Sequence, residues 1–125
     1  MHNFRKLDIW MDGIELADSV YSITDSFPRS EIYGLASQMQ RAAVSVPSNI
    51  AEGSGKDSNR DFARFLVIAL GSLYELETQI EIAHRRGYLS TENYYYLCTH
   101  IESLQKRIYN LRQRITTEGS QVETI

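Results

Sequence analysis

Apolar residues recur along most of the chain at spacings of three and four, the period of an α-helix, without the alternation that marks a half-buried strand. Turn signals divide the pattern into four segments. The first spans about 7–26, with Leu7, Trp10, Ile14, Ala17 and Tyr21 as its stripe and Asp8, Asp12 and Glu15 on another face. It stops at "SFPRSE", because Pro28 cannot continue the hydrogen-bond ladder. The second spans about 30–52. Ser30 is its expected cap, Glu31 suits its first turn, and Ile32, Leu35, Met39, Ala42 and Val46 form its stripe. The third, 58–86, opens with Ser58 and Asp61 at capping-box spacing and stops at Gly87. Its stripe is Phe62, Leu66, Ala69, Leu73, Leu76, Ile80 and Ala83. The fourth, 91–116, carries Tyr94, Leu97, Ile101, Leu104, Ile108, Leu111 and Ile115, an unbroken alternation of three and four that makes a heptad seam. Residues 117–125 have no period and are expected to form a flexible tail.

Long helices with short connections pack as antiparallel neighbours, so the expected fold is all-α: an antiparallel up-and-down four-helix bundle over residues 1–116. A helix over 58–86 is roughly 40 Å long. One stripe per helix suffices for a monomer, yet the third and fourth helices carry more. Val67, Ile68 and Tyr74 lie away from the third stripe, and Tyr95 and Tyr109 lie away from the fourth. The second helix is lined with Gly34, Ala36, Ser37, Ala43 and Ser45, which permit close approach. Clustered, aromatic-rich surplus of this kind predicts a subunit interface.

The stretch "RAAVSVPSNIAEGSGK", 41–56, ends in a glycine-flanked lysine but is no phosphate loop. Ile50 stands where the first glycine belongs, Asp57 follows Lys56, and a helix precedes the segment. Pro47 removes one helical hydrogen bond and clashes with the carbonyl of Ala43, which predicts a kink or restart. Asn49 and Glu52 are expected to satisfy the backbone groups so freed, with Gly53 and Gly55 turning the corner. Pro47, Asn49, Glu52 and Gly53 are thus read as structural.

Composition narrows the chemistry. The 125 residues carry a formal charge of −3, which argues against a general affinity for nucleic acid and leaves room for a local basic patch. The single Cys98 suits a reducing cytoplasm. "MHNFRKLDIW" lacks the apolar run of a signal peptide, and the longest apolar stretch, 65–73, is too short for a membrane span. Glu81 and His84 form an E-x-x-H, the spacing that di-iron bundles use, but no second copy exists. They read as two solvated polar residues. His2, His84 and His100 suggest no triad. No metal and no cofactor is expected.

The remaining lead is basic. Lys56, Arg60 and Arg64 cluster at the corner and first turns of the third helix, with Arg41 in the preceding one. On the fourth, His100, Arg107 and Arg114 are seven apart, with Lys106 alongside. Two readings stand. Lys56, Arg60, Arg64, Lys106, Arg107 and Arg114 contact phosphates with little sequence preference, or they form a solvated face with local pairs such as Glu102–Lys106 and Asp61–Arg64.

"FRKLDIW", "YGLASQMQRAAVSVPSNIAEGSGK" and "FARFLVIALGSLYELETQIEIAHRRGYL" resemble the four-helix-bundle proteins encoded in intervening sequences of bacterial 23S ribosomal RNA genes, over roughly residues 4–115. The resemblance implies a homopentameric ring and kinship with the accessory variability proteins of diversity-generating retroelements, basic barrels that bind nucleic acid and reverse transcriptase. It implies no catalytic activity. The sequence therefore points to a non-enzymatic ring oligomer of the bacterial cytoplasm that binds structured RNA or a nucleic-acid-handling partner. The alternative is a protein-interaction scaffold that docks a partner on the acidic face of the first helix or the tyrosines of the fourth.

Overall fold

The computed structural model describes residues 2–123, with side chains described as far as Thr117. Four α-helices carry the chain: α1 (Asp8–Thr24), α2 (Leu35–Ser54), α3 (Asn59–Arg85) and α4 (Thr91–Glu123). Short 3-10 turns at Phe4–Lys6 and Arg29–Glu31 precede α1 and α2, and the described residues include no strand. Each helix touches its neighbours in sequence, and α1 closes against α4. Among the described residues no Cα of α1 comes within 8 Å of α3, nor any of α2 within 8 Å of α4, so those helices stand diagonally opposite across one core. The α1–α4 seam is fastened by polar pairs: Asp12 with Arg107 at 2.5 Å, and Ser19 sharing a hydrogen bond with Tyr96 at 3.0 Å.

The expected stripes of α3 and α4 are the core. Phe62, Leu66, Ala69, Leu73, Leu76, Ile80 and Ala83 are buried, as are Leu97, Ile101, Leu104, Ile108, Leu111 and Ile115. Tyr94 is half-buried at the edge. Each fully buried leucine or isoleucine contributes about 1.5–3 kcal/mol. The ends of α3 follow the expected chemistry. The Asp61 amide donates to Ser58 Oγ (3.1 Å), and Gly87 takes a left-handed φ of 79° that stops the helix.

The structure corrects the reading of α1. The core takes Ile9, Gly13, Leu16, Ala17, Val20 and Thr24, while Ile14 and Tyr21 from the expected stripe are exposed. The reason is Gly13. A Cβ built there would lie 3.2 Å from Pro47 Cβ, so α1 and α2 approach through a residue that hydrophobic counting treats as blank. Buried Thr24 is satisfied locally: its hydroxyl donates to the Val20 carbonyl (2.7 Å) and accepts from Gln40 Nε2 (3.0 Å).

α2 departs from expectation at both ends. It begins at Leu35, not Ser30, because Gly34 is non-helical (φ −112°, ψ −115°). Glu31 Oε1 accepts from the Leu35 amide at 3.3 Å, so a carboxylate rather than Ser30 serves the helix start. Ile32 is therefore half-exposed outside the helix. The helix then runs unbroken through Pro47, which is buried against Gly13 instead of ending a segment. Asn49 does not take the Ala43 carbonyl. Its amide donates to the Ser45 carbonyl (2.8 Å) and to Ser45 Oγ (2.9 Å), which in turn bonds Ser72 Oγ on α3 (2.8 Å). Glu52 is exposed. Gly53 serves packing more than the turn, since a Cβ there would lie 2.7 Å from Phe65 Cβ and 3.0 Å from Phe62 Cδ1. At the other terminus, α4 stays helical to Glu123, past the expected end at Thr116; 124–125 lie outside the described residues.

Gly53→Ala is expected to destabilise the fold by about 1–3 kcal/mol, because the new methyl overlaps the Phe65 stem. Gly55→Ala, whose Cβ would sit 3.6 Å from its nearest neighbour, should stay within about 0.5 kcal/mol of the parent. Paired thermal melts of the two variants check this ordering.

Candidate functional site

The six basic candidates fall into three places. Lys56 and Arg64 both lie over the Phe65 ring, at 5.2 and 5.6 Å, with Arg60 one turn of α3 before Arg64. The Asn59 side chain donates to the Ile115 carbonyl (3.4 Å), which brings the end of the α4 stripe beside this first turn of α3. Arg107 and Arg114 line a groove of about 400 Å³ between α4 and the start of α1, together with Lys6 and Asp8. Lys106 does not join them. It lines a different groove, between α3 and α4, beside Tyr74, Glu102 and Tyr109.

Ion pairs already hold half of the set: Arg64 with Asp61 (3.7 Å), Lys106 with Glu102 (3.3 Å) and Arg107 with Asp12 (2.5 Å). Among the described residues Lys56, Arg60 and Arg114 make none. The sequence reading did not include Arg5 and Lys6 in this end of the bundle. They arrive there because the His2 amide donates to the Ser54 carbonyl (2.8 Å) and the His2 ring packs on Phe62 (5.0 Å). No periodic signal in a six-residue leader could have placed them.

The predicted interface residues are all exposed, between 45% for Val67 and 64% for Tyr95. Tyr74 and Tyr109 share the α3–α4 groove, Val67 lies seven residues before Tyr74 on the same side of α3, and Ile68 lies across Gly71 from Val67. A further apolar groove was not expected. Trp10, Ile14 and Ala17 of α1 face Val44, Pro47 and Ala51 of α2 around about 250 Å³ without a charged lining residue. It uses the stripe that the sequence had assigned to the core.

Glu81 and His84 are more engaged than two solvated residues would be. Tyr94 OH donates to Glu81 Oε2 (2.7 Å), Arg85 Nε donates to Oε1 (3.1 Å), and the His84 ring stacks on Tyr94 at 4.0 Å. The cluster clasps α3 to α4. The Tyr94 hydrogen bond first, then Arg85, holds the Glu81 carboxyl below its ordinary range. The same bond, helped by burial, pushes the Tyr94 phenol up to about 12. Burial pushes the neighbouring Cys98 thiol up, the reverse of what a nucleophilic thiol needs. No group of three His, Cys, Asp or Glu side chains able to hold a metal ion occurs among the described residues. No helix there is long and apolar enough to cross a membrane.

The clasp has a pH signature at each limit. A depressed carboxyl stabilises above its unfolded pKa, and that contribution is lost as pH falls through the folded value. A raised phenol stabilises below about 10 and loses its contribution as pH climbs towards 12. Ultraviolet titration should therefore show a tyrosine ionising at about 12 that is missing in Tyr94→Phe. In the same variant, NMR titration should show the Glu81 carboxyl moving up towards the usual range.

The arrangement has relatives. The family model of the 23S rRNA-intervening sequence protein matches residues 5–110. No curated protein matches the chain. A crystal structure of a protein with unknown function from the S23 ribosomal protein family of Bacteroides thetaiotaomicron superposes with a TM-score of 0.75 at 22% identity, covering 83% of this chain and 97% of that one. At that identity the likeness speaks for the fold alone, and it agrees with the four-helix arrangement. Because the family model takes in all of α1, α2 and α3 and most of α4, the chain belongs to the 23S rRNA-intervening sequence protein family.

Proposed function

We propose that this protein is a non-enzymatic, self-associating helical bundle that lays one basic end on the phosphate backbone of structured RNA. The single observation that carries the reading is the gathering of Lys6, Lys56, Arg60 and Arg114 at the end where the leader, the α2–α3 corner and the late turns of α4 meet. Two aromatic side chains of that end carry cations of the chain itself, Phe4 with Arg5 at 5.4 Å and Phe65 with Lys56 and Arg64, while Trp10 packs edge-on against Phe4. Phe4 and Phe65 are thus engaged within the chain, which favours contact to backbone with little dependence on base sequence.

The proposal includes an up-and-down, antiparallel course for the helices. Contacts that step backward along one helix as they step forward along the next support it, as in Gly13 with Pro47 and then Thr24 with Gln40. It also includes a ring of copies, five by the family resemblance, acting in a bacterial cytoplasm. Exposed apolar side chains on α1, α2, α3 and α4 support self-association. Copies in register would repeat the basic end around the assembly. Kinship with the retroelement accessory proteins belongs to the same proposal and rests on the resemblance.

A second reading is a scaffold that docks a protein partner without nucleic acid. The ion pairs of Arg64, Lys106 and Arg107 and the formal charge of −3 favour it.

Titration of a labelled RNA hairpin separates the two. About four phosphate contacts per copy predict that affinity falls roughly a hundredfold between 50 and 200 mM salt. Arg60→Glu with Arg114→Glu should abolish binding, while Arg29→Glu, which changes a cation outside the cluster, should leave it unchanged. Absence of binding at 50 mM salt, or binding that ignores salt and the double variant, would remove the RNA reading. Salt-insensitive capture of one specific protein would then support the scaffold.

A further inference from the structure

The outward faces of α2 and α3 are built to one plan. On α2, Arg41 and Glu52 stand eleven residues apart with only uncharged residues between them. On α3, Arg64 and Glu75 do the same. Eleven residues are about three turns, so each pair lies on one side of its helix, roughly 16 Å apart. All four charges are exposed. Between them α2 exposes Val44 and Ser48, on the rim of the groove against α1, and α3 exposes Ile68 and Gly71 with Val67 and Tyr74 beside them. Val44 is 40% and Ile68 46% exposed, and nothing lies within 4 Å of a Cβ built on Gly71.

We infer that α3 of one copy lies along α2 of a second copy, running the opposite way. This rests on the self-association reading and names the surfaces that meet. The direction follows from charge. With the helices parallel, Arg64 would meet Arg41 and Glu75 would meet Glu52. Opposed, Arg64 meets Glu52 and Glu75 meets Arg41. That register sets Ile68 over Ser48 and brings Val44 to within one residue's rise, about 1.5 Å, of Gly71, so a large side chain faces a small one at both crossings. Exposed ion pairs of this kind choose orientation more than they supply affinity, and the apolar side chains supply the hold. Arg64 now leans on Asp61 of its own helix at 3.7 Å, a loose contact that it can exchange.

A two-fold contact of α3 on α3 would match the same charges, but it would leave the α2 face bare in every copy. Pairing α3 with α2 covers both faces with one kind of contact. Such a contact is heterologous, so a bound pair still offers one free α2 face at one end and one free α3 face at the other, and the series ends only by closing into a ring.

Ser48→Glu and Gly71→Glu test this by mixing. Both positions are exposed, so each variant should melt and give circular dichroism as the parent does. Each alone should be monomeric by native mass spectrometry, having lost one half of every contact. Mixed at high concentration, the two should form a dimer of one copy each and nothing larger, because one intact α3 face meets one intact α2 face. Ser48→Glu that assembles like the parent, or a mixture that stays monomeric while the parent assembles, would overturn the inference and leave self-association standing. A parent chain that is itself monomeric would overturn both.

Discussion

The width of the bundle is set where α2 meets its neighbours through glycine. Gly13 admits Pro47 from one side, and Gly53 admits Phe65 and Phe62 from the other. A methyl at Gly53 would force backbone or a stiff side-chain stem to move, so these two contacts fix how near the helix axes come. The inward face of α2 is correspondingly slight, with Ala36, Ala42 and Ala43 buried beside Met39 and Val46. The large inward residues of α1 and α3, from Leu16 and Val20 to Phe62, Leu66 and Leu73, fill the core against that slight face. Ile14, Tyr21, Val67, Ile68 and Tyr74 lie off those buried stripes by the helical period and are turned outward.

Polar side chains fix the register that the apolar core alone would leave loose. Asn49, Ser45 and Ser72 tie α2 to α3 at mid-height, Gln40 reaches Thr24 on α1, and Tyr94 with Glu81 ties α3 to α4. Each link satisfies groups that would be costly to bury alone, and each is lost if a helix slides by a turn. Pro47 fits this scheme. Its ring is buried packing surface at the α1 contact, and the helix continues past it.

Much of this was legible in the sequence, and the misses have physical causes. α3 and α4 announced their core faces because their stripes are long, regular and built from large residues. α1 carries two stripes of similar quality, and spacing alone cannot choose between them. The choice was made by Gly13, which has no side chain to count but lets Pro47 in. The start of α2 was misplaced because Ser30 is a good cap by type, whereas the chain uses the Glu31 carboxylate and a non-helical Gly34. Among the basic residues, local pairing at i,i+3 and i,i+4 could be read directly, as Asp61–Arg64 and Glu102–Lys106 show. The Arg107–Asp12 pair and the arrival of Lys6 beside Arg114 depend on which helices become neighbours, so they became visible only in the fold.

The proposed self-association rests on the apolar side chains that α1, α2, α3 and α4 leave exposed. Association would bury the exposed face, and each copy would add its cations to a shared surface. Sedimentation equilibrium of the unmodified chain over a wide dilution series tests that claim most directly. The account predicts a species several times the 14.4 kDa chain mass that persists well into the micromolar range. A fully folded 14.4 kDa species at every concentration would contradict it.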